Sequence, residues 1–531
     1  MRGRSQTLLE EASSSVGWGT TIMILSTIAL FAFNLVARIV IARTLSVSVW
    51  GEFNLGVAFT SLLSVVILLG LNQAVARSLA YEADGTERRA IVQWSLIVSG
   101  AVSVAASIVT FVFAVPLAAP FHDPGLVGVF QLLAISVGFG AITPVYAAVF
   151  QGFHNVWPNA LFNQIVNPVL LLVFVLILLP LGFGLTGALV AYVIADAVGY
   201  VGIVVYYYAR IGKYLPGRAK LGRLPNPRLW VLGGALWGVA SLAFVTAFAD
   251  TLILGLYWPA TTVGYYSTAM TLARVVLLGG SALTYVFLPV ASRFAREKEY
   301  RALGVTYVTA ARWILVLSVP LLLLFALLPN LSIVALFGKK YLPAAFPLQF
   351  LVITAFVSVA LGPVNATLAG LGRARNQAVT ALVAGVTNVA LSFALIPKYG
   401  VLGAAIAWGF ARALYPALGF VLLVRDYGIH PFRPILTRPL ALTLGVGIPM
   451  FLAVRFLGPP SWVVFPLFFV ASGLFVASLL VTRSLSRGDL ILVETLERTT
   501  RRPLPRIRAF LERYISPNDP AKLLELKAPE G

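Results

Sequence analysis

Runs of about 20 apolar residues recur from Val16 to Val481, separated by short stretches of Gly, Pro and charge. As a helix, each run is long enough to cross roughly 30 Å of hydrocarbon. Lipid offers backbone groups no water to bond, so spanning segments must be helices or a closed barrel. Barrel strands would be roughly ten residues long and would alternate polar with apolar. These runs are longer and apolar on all sides. The pattern predicts an all-α polytopic membrane protein with about fourteen transmembrane helices. They fall near 17–42, 53–80, 91–115, 127–150, 160–181, 186–209, 229–255, 263–290, 304–328, 344–370, 376–397, 402–424, 439–457 and 462–482. Met1-Arg2-Gly3-Arg4 leads into an apolar stretch too long for a signal-peptide core and followed by no small-residue cleavage site, so a retained first helix is expected.

Composition sharpens this picture. Hydrophobic residues make up 59% and charged residues 11% of the 531, against about 25% charged in a soluble domain. The chain has no cysteine, which removes disulfides, thiol catalysis and Cys-ligated metal. His122, His154 and His430 are scattered and show no metal spacing, and no phosphate-binding Gly-rich loop occurs, so neither a metal nor another cofactor is expected. The net charge of +20 could signal nucleic acid or anionic lipid. Here the cations flank the apolar runs, which points to membrane lipids and away from nucleic acid. With both termini on one side, Lys and Arg gather overwhelmingly there; the opposite side has only Arg43, Lys339, Lys340, Lys398 and Arg455. The excess marks the cytoplasmic face, so both termini are expected to be cytoplasmic. Trp18, Trp50, Trp157, Trp230, Trp258 and Trp462 fall near segment ends, where interfacial tryptophans belong.

The chain also contains itself twice. Gly51-Glu52-Phe53 matches Gly264-Tyr265-Tyr266, Gln151-Gly152-Phe153 matches Ala369-Gly370-Leu371, and Pro180 matches Pro397. Gly184-Leu185-Thr186-Gly187-Ala188 matches Gly400-Val401-Leu402-Gly403-Ala404. The order and near-constant offset predict a parallel repeat, with a pseudo-two-fold axis along the membrane normal and a site between the halves. The expected organisation is an N-lobe with a basic cytoplasmic linker (1–218), a C-lobe (219–430), two further helices (431–482) and a basic, amphipathic cytoplasmic tail (483–531).

These residues resemble a known family. Asp250-Thr251-Leu252-Ile253-Leu254-Gly255 with Val263-Gly264-Tyr265-Tyr266-Ser267-Thr268-Ala269 is similar to the middle of polysaccharide flippases. Leu395-Ile396-Pro397-Lys398-Tyr399-Gly400-Val401-Leu402-Gly403-Ala404-Ala405, preceded by Asn388, fits the same family, as do Ala42-Arg43-Thr44-Leu45 and Trp50-Gly51-Glu52-Phe53-Asn54-Leu55. The chain thus resembles the O-antigen-type polysaccharide transporters of the multidrug/oligosaccharidyl-lipid/polysaccharide (MOP) superfamily over roughly 15–482. The resemblance implies two six-helix lobes around a cavity, working by alternating access on a polyprenyl-(pyro)phosphate glycan in a cell (plasma) membrane. Its partners would be the lipid-linked sugar, membrane lipids and other glycan-assembly proteins. A cation-coupled multidrug antiporter of the same superfamily is the alternative, kept open by Asp196. A membrane glycan polymerase or ligase would need a large outer loop, whereas those near 116–126 and 329–343 are short. A transporter rather than an enzyme is therefore expected.

Charges inside a membrane are costly, which makes them candidate site residues. Arg38 follows Asn34 by one helical turn, and its guanidinium could grip a lipid phosphate or snorkel to the outer surface. Asp196 and Arg412 occupy equivalent repeat positions, each preceded by an aromatic four residues earlier (Tyr192, Trp408); they could flank cargo or pair within their own lobes. Asp250 and Arg274 could form an ion pair across a tight turn, while Arg274 also continues a stripe with Tyr266, Met270 and Tyr285 that could line a cavity or pack. The amides Asn54, Asn72, Asn163, Asn167, Asn365 and Asn388 should point inward, bonding sugars or other helices. Arg210, Lys213, Lys220, Arg223 and Arg228 form the basic linker, and Leu490, Ile491, Val493, Leu496, Leu504, Ile507, Phe510 and Leu511 suggest surface-lying helices in the tail.

Overall fold

The computed structural model describes residues 2–68, 70–82, 84–215, 224–432 and 434–485, with 505 and 514. Lys220 and Arg223 of the linker, the apolar tail positions and the Tyr285 side chain lie outside the described residues. The first helices are α1 (Arg2–Thr44), α2 (Val47–Ile67), α3 (Leu71–Tyr81), α4 (Gly85–Val112), α5 (Ala114–Ala118) and α6 (Gly125–Gly152). A π-helix (Asn159–Val166) runs directly into α7 (Asn167–Leu178), followed by α8 (Gly184–Tyr214) and α9 (Arg228–Tyr257). Then come α10 (Ala260–Arg296), α11 (Tyr300–Leu327), α12 (Pro329–Leu336), α13 (Ala345–Ala360), α14 (Val364–Gly370) and α15 (Ala374–Tyr399). The last described helices are α16 (Val401–Tyr427), α17 (Pro434–Leu457) and α18 (Val464–Val481). Two compact units are formed, Met1–Thr268 with Gly385–Ala407, and Ala269–Ala384 with Trp408–Gly531.

The protein is an all-helical, multi-pass membrane protein. Among the described residues, 11 helices are long and apolar enough to cross a membrane, and Ala247–Tyr257 and Phe465–Val481 are shorter apolar helices. Every predicted segment contains helix, but two break at a glycine of positive φ. The segment expected over 53–80 breaks at Gly70 (φ 69°), and that over 344–370 breaks at Gly362 (φ 76°), just before Pro363. A break at membrane depth frees carbonyls that lipid cannot satisfy. In each unit a buried or half-buried aromatic supplies the donor. In the first, Trp237 Nε1–H donates to the Val66 carbonyl (2.8 Å) at the end of α2. In the second, the Tyr307 hydroxyl donates to the Leu361 carbonyl at the end of α13.

The internal repeat is visible as repeated local geometry. Gly184 and Gly400 turn the chain with φ 53° and 54°, which favours glycine at both. A Cβ on Gly152 would lie 2.6 Å from Leu79 Cβ, and one on Gly370 2.9 Å from Ala291 Cβ. Leu79 and Ala291 lie at matching places on α3 and α10, so the same close helix approach recurs. Gly187 and Gly403 likewise each meet the end of the preceding helix, at Leu178 and Leu395. Two connections match too, each carrying a short α-helix followed by a 3₁₀ turn (α5 with Ala119–Phe121, α12 with Lys339–Ala344).

Trp50 departs from its expected place. It is 0% exposed, and its indole N–H donates to Thr268 Oγ1 at 3.1 Å, so it is a packing residue rather than an interfacial anchor. In the second unit Arg312 is also buried, and its guanidinium donates to the carbonyl of Ser484 just beyond α18. A helix C-terminus presents unbonded carbonyls and partial negative charge, which a cation satisfies. Arg312→Ala is expected to cost about 3 kcal/mol, the upper range for a hydrogen bond to a charged group. A lowered thermal midpoint in detergent checks this, and an unchanged midpoint would remove Arg312 from that role.

Candidate functional site

The first unit holds a cavity of about 1000 Å³ lined from α1, α3, α6, the π-helix, α7 and α8. Its composition is unusual for a membrane interior. Asn72, Gln73, Gln151, Asn159, Asn163, Gln164 and Asn167 all reach it, together with Arg77 and Asp196. Gln73, Arg77 and Gln151 are exposed, which marks the open end. A smaller space of about 300 Å³ shares Asn72, Gln73, Gly140, Pro144 and Asp196 and adds Ser61, Ser64, Ser136 and Tyr192. Pro144 sits inside α6 and has no N–H, so it takes the Gly140 carbonyl out of the helical ladder where Gly140 lines the cavity.

Local chain geometry explains why the amides converge. The run Asn159-Ala160-Leu161-Phe162-Asn163-Gln164-Ile165-Val166 is a π-helix, whose wider turn brings residues four and five apart onto one face. Asn163 Nδ2 donates to Asn159 Oδ1 (2.9 Å), and Asn167 Nδ2 donates to Asp196 Oδ1 (2.8 Å). The hydroxyls of Ser26 and Thr27 lie 2.5 Å and 3.2 Å from Gln164 Oε1. Side chains held this way lose little further freedom when they bind.

The second unit has its own cavity, of about 320 Å³, lined among others by Ser358, Gly362, Asn365, Arg412 and Tyr415. Arg412 is open to it. Pro416, one turn later, cannot bond the Arg412 carbonyl, and Ser358 Oγ donates to that carbonyl instead at 2.7 Å. The side chain of Arg412 is thus carried on a fixed kink. Arg274 of the same unit is half-buried and lies within Coulomb range of Arg412. Asn365 Oδ1 is buried with no hydrogen-bond partner among the described residues.

The other predicted residues are placed as follows. Asn34 Nδ2 donates to its own helix at the Leu30 carbonyl (2.9 Å). Arg38 Nη1 donates to Asn54 Oδ1 (3.1 Å), and Asn54 in turn bonds the Trp50 carbonyl (2.7 Å), so Arg38 ties α1 to α2. Asp250 is fully buried and accepts from the Tyr266 hydroxyl. Tyr266 and Met270 are buried at 0% and 3% exposure, so that part of the stripe packs. Of the six candidates, Asp196 and Arg412 line the described cavities. The sequence reading named Asn72, Asn163 and Asn167 but not Gln73, Arg77, Gln151, Asn159 or Gln164. The signal was there: four amides within Asn159–Asn167, inside an otherwise apolar segment.

Comparison with known proteins places this architecture. Residues 16–295, more than half of the chain, match the family described as polysaccharide biosynthesis protein. An uncharacterized membrane protein of Methanocaldococcus jannaschii is 25% identical over 384 residues, 67% of this chain and 73% of that protein. Among solved structures, the lipid II flippase MurJ in an inward closed conformation superposes with a TM-score of 0.70 at 14% identity, covering 88% of this chain and 100% of that one. An inward-facing multidrug resistance transporter of the MATE family gives 0.60 at 16% identity, over 75% and 94%. A MOP superfamily transporter from Pyrococcus furiosus, whose binding pocket has reversed polarity, gives 0.57 at 17%, over 78% and 95%. The superpositions establish a shared fold, and the family match covers both the amide-lined cavity and the first repeat. The chain is a member of the polysaccharide biosynthesis protein family with the fold of the MOP-superfamily transporters.

Proposed function

We propose that the protein is a flippase that carries a lipid-linked oligosaccharide, a glycan on a polyprenyl (pyro)phosphate, from the cytoplasmic to the outer leaflet. The observation that carries this reading is the amide-rich cavity inside a membrane-spanning unit of a polysaccharide biosynthesis family member. Amides pair with sugar hydroxyls as both donors and acceptors, whereas a lipophilic cation would be served by aromatic faces and carboxylates. Arg412 offers a planar fork suited to phosphate oxygens. The prenyl chain stays in lipid while the two lobes of the repeat alternate access, with both termini in the cytoplasm of a prokaryotic-type plasma membrane. Membrane lipids and other glycan-assembly proteins are the expected partners.

The alternative, a cation-coupled multidrug antiporter, is favoured by one observation, the Asn167–Asp196 pair, since a carboxylate with an amide neighbour can hold a proton or small cation. The deciding experiment uses purified protein in liposomes with a fluorescent polyprenyl-diphosphate sugar. Protein-dependent gain of access for an external quencher or lectin is the expected result. Absence of glycolipid movement, with dye transport driven by a proton or sodium gradient, would replace the flippase with the antiporter.

A further inference from the structure

We infer that the first-unit cavity is a subsite for uncharged sugar residues and that it disfavours glycans presenting a carboxylate there, an inference that rests on the flippase reading. Two charged side chains are among the residues lining it, and they sit in different parts of it. Asp196 is near the middle of α8 and lines both parts of the space, held by Asn167. Arg77 is exposed, one helical turn beyond Gln73 and close to the end of α3. Between them the polar surface is carried by neutral amides and hydroxyls.

That arrangement has a specific chemical complement. A carboxamide presents two donors and an acceptor, which matches neighbouring hydroxyls or the acetamido group of a neutral pyranose. A carboxylate only accepts, and in such a lining it would find Asp196, a like charge, and, apart from Arg77, no cation among the described lining residues. Arg77, the one cation among the described lining residues, is at the open end. Asn163 donates to Asn159, and Gln164 accepts from Ser26 and Thr27, before any sugar enters, so these amides meet a sugar already positioned.

Two fluorescent polyprenyl-diphosphate probes with the same lipid and phosphates test this. One carries N-acetylglucosaminyl-glucose and the other N-acetylglucosaminyl-glucuronic acid. In liposomes with the full-length protein, the neutral probe should cross at least tenfold faster. Asn163→Asp and Gln164→Glu should slow the neutral probe at least tenfold, and Asp196→Asn should narrow the ratio between probes. Equal rates for both probes would overturn the subsite while leaving the flippase intact. If neither probe moves, the flippase reading fails. Binding of the two free disaccharides to the purified protein, followed by saturation-transfer NMR, then decides the subsite separately. Preferential binding of the neutral sugar upholds it, and equal or undetectable binding overturns it.

Discussion

Gly51→Ala is expected to destabilise the first unit more than any other single-methyl addition discussed here. A Cβ at Gly51 would lie 1.8 Å from the Ala260 carbonyl oxygen and 2.6 Å from its carbon. A Cβ at Gly264 would lie 2.3 Å from the Val47 carbonyl oxygen. Both obstacles are backbone, so no rotamer change relieves them. Gly51 and Gly264 are also equivalents in the repeat, at the starts of α2 and α10, so one local sequence builds both sides of a single reciprocal crossing. The crossing is sealed by Trp50, whose N–H bonds Thr268 Oγ1, while the Thr268 hydroxyl lies 2.8 Å from the Gly264 carbonyl. Overpacking usually costs about 1–3 kcal/mol, and a backbone-on-backbone clash belongs at or above the top of that range. The double variant with Gly264→Ala should cost less than the sum, since the first clash already opens the contact used by the second. Gly128→Ala in α6 is the control, because open space surrounds that position and alanine is the better helix former. Thermal unfolding in detergent, with Trp fluorescence as the probe, separates them. A Gly51→Ala midpoint equal to that of Gly128→Ala would refute the crossing.

Most of the fold could be read from the chain because its signal is additive. Twenty apolar residues exceed a threshold wherever their side chains point, so each predicted segment contains helix. The breaks at Gly70 and Gly362 depend instead on single backbone angles, which hydropathy averages away. Gly362-Pro363 carried a warning in the dipeptide itself, but Gly70 lies in an apolar run and becomes a break only with Trp237 present to satisfy Val66. The site was legible in part for the same reason. Asp196 and Arg412 announce themselves by the cost of a membrane charge. The neutral amides that dominate the first cavity carry a smaller cost, and the sequence alone does not separate bonding to sugars from bonding between helices. Asn159, Asn163 and Asn167 follow at the four-residue spacing that helical periodicity already puts on one face, and the π-turn at Asn159–Val166 brings Gln164 toward that face as well. Arg38 was marked by its charge too, and its Nη1 donates to Asn54 Oδ1.

Under the flippase reading, Arg412→Ala is expected to slow translocation of a polyprenyl-diphosphate sugar by about 100-fold or more, because two charge-assisted hydrogen bonds at about 1.5–3 kcal/mol each are lost. The substitution should leave the fold intact. The side chain opens into the second-unit cavity rather than filling it, and the kink beneath it depends on Pro416 and on Ser358 bonding the Arg412 carbonyl, which alanine retains. Arg412→Lys keeps the charge but loses the planar fork, so it should fall between, about tenfold slower. Ser358→Ala should show the opposite phenotype. It removes one exposed hydrogen bond to that carbonyl and costs about 0.5–1.5 kcal/mol of stability, while the guanidinium remains available to the phosphate. Proximity of Arg274 gives the comparison a further edge, since a second cation favours a doubly charged headgroup. A diphosphate probe should therefore lose more on Arg412→Ala than the corresponding monophosphate. A wild-type rate in Arg412→Ala with either probe would take the phosphate role away from this residue, whatever the first unit does with the sugar.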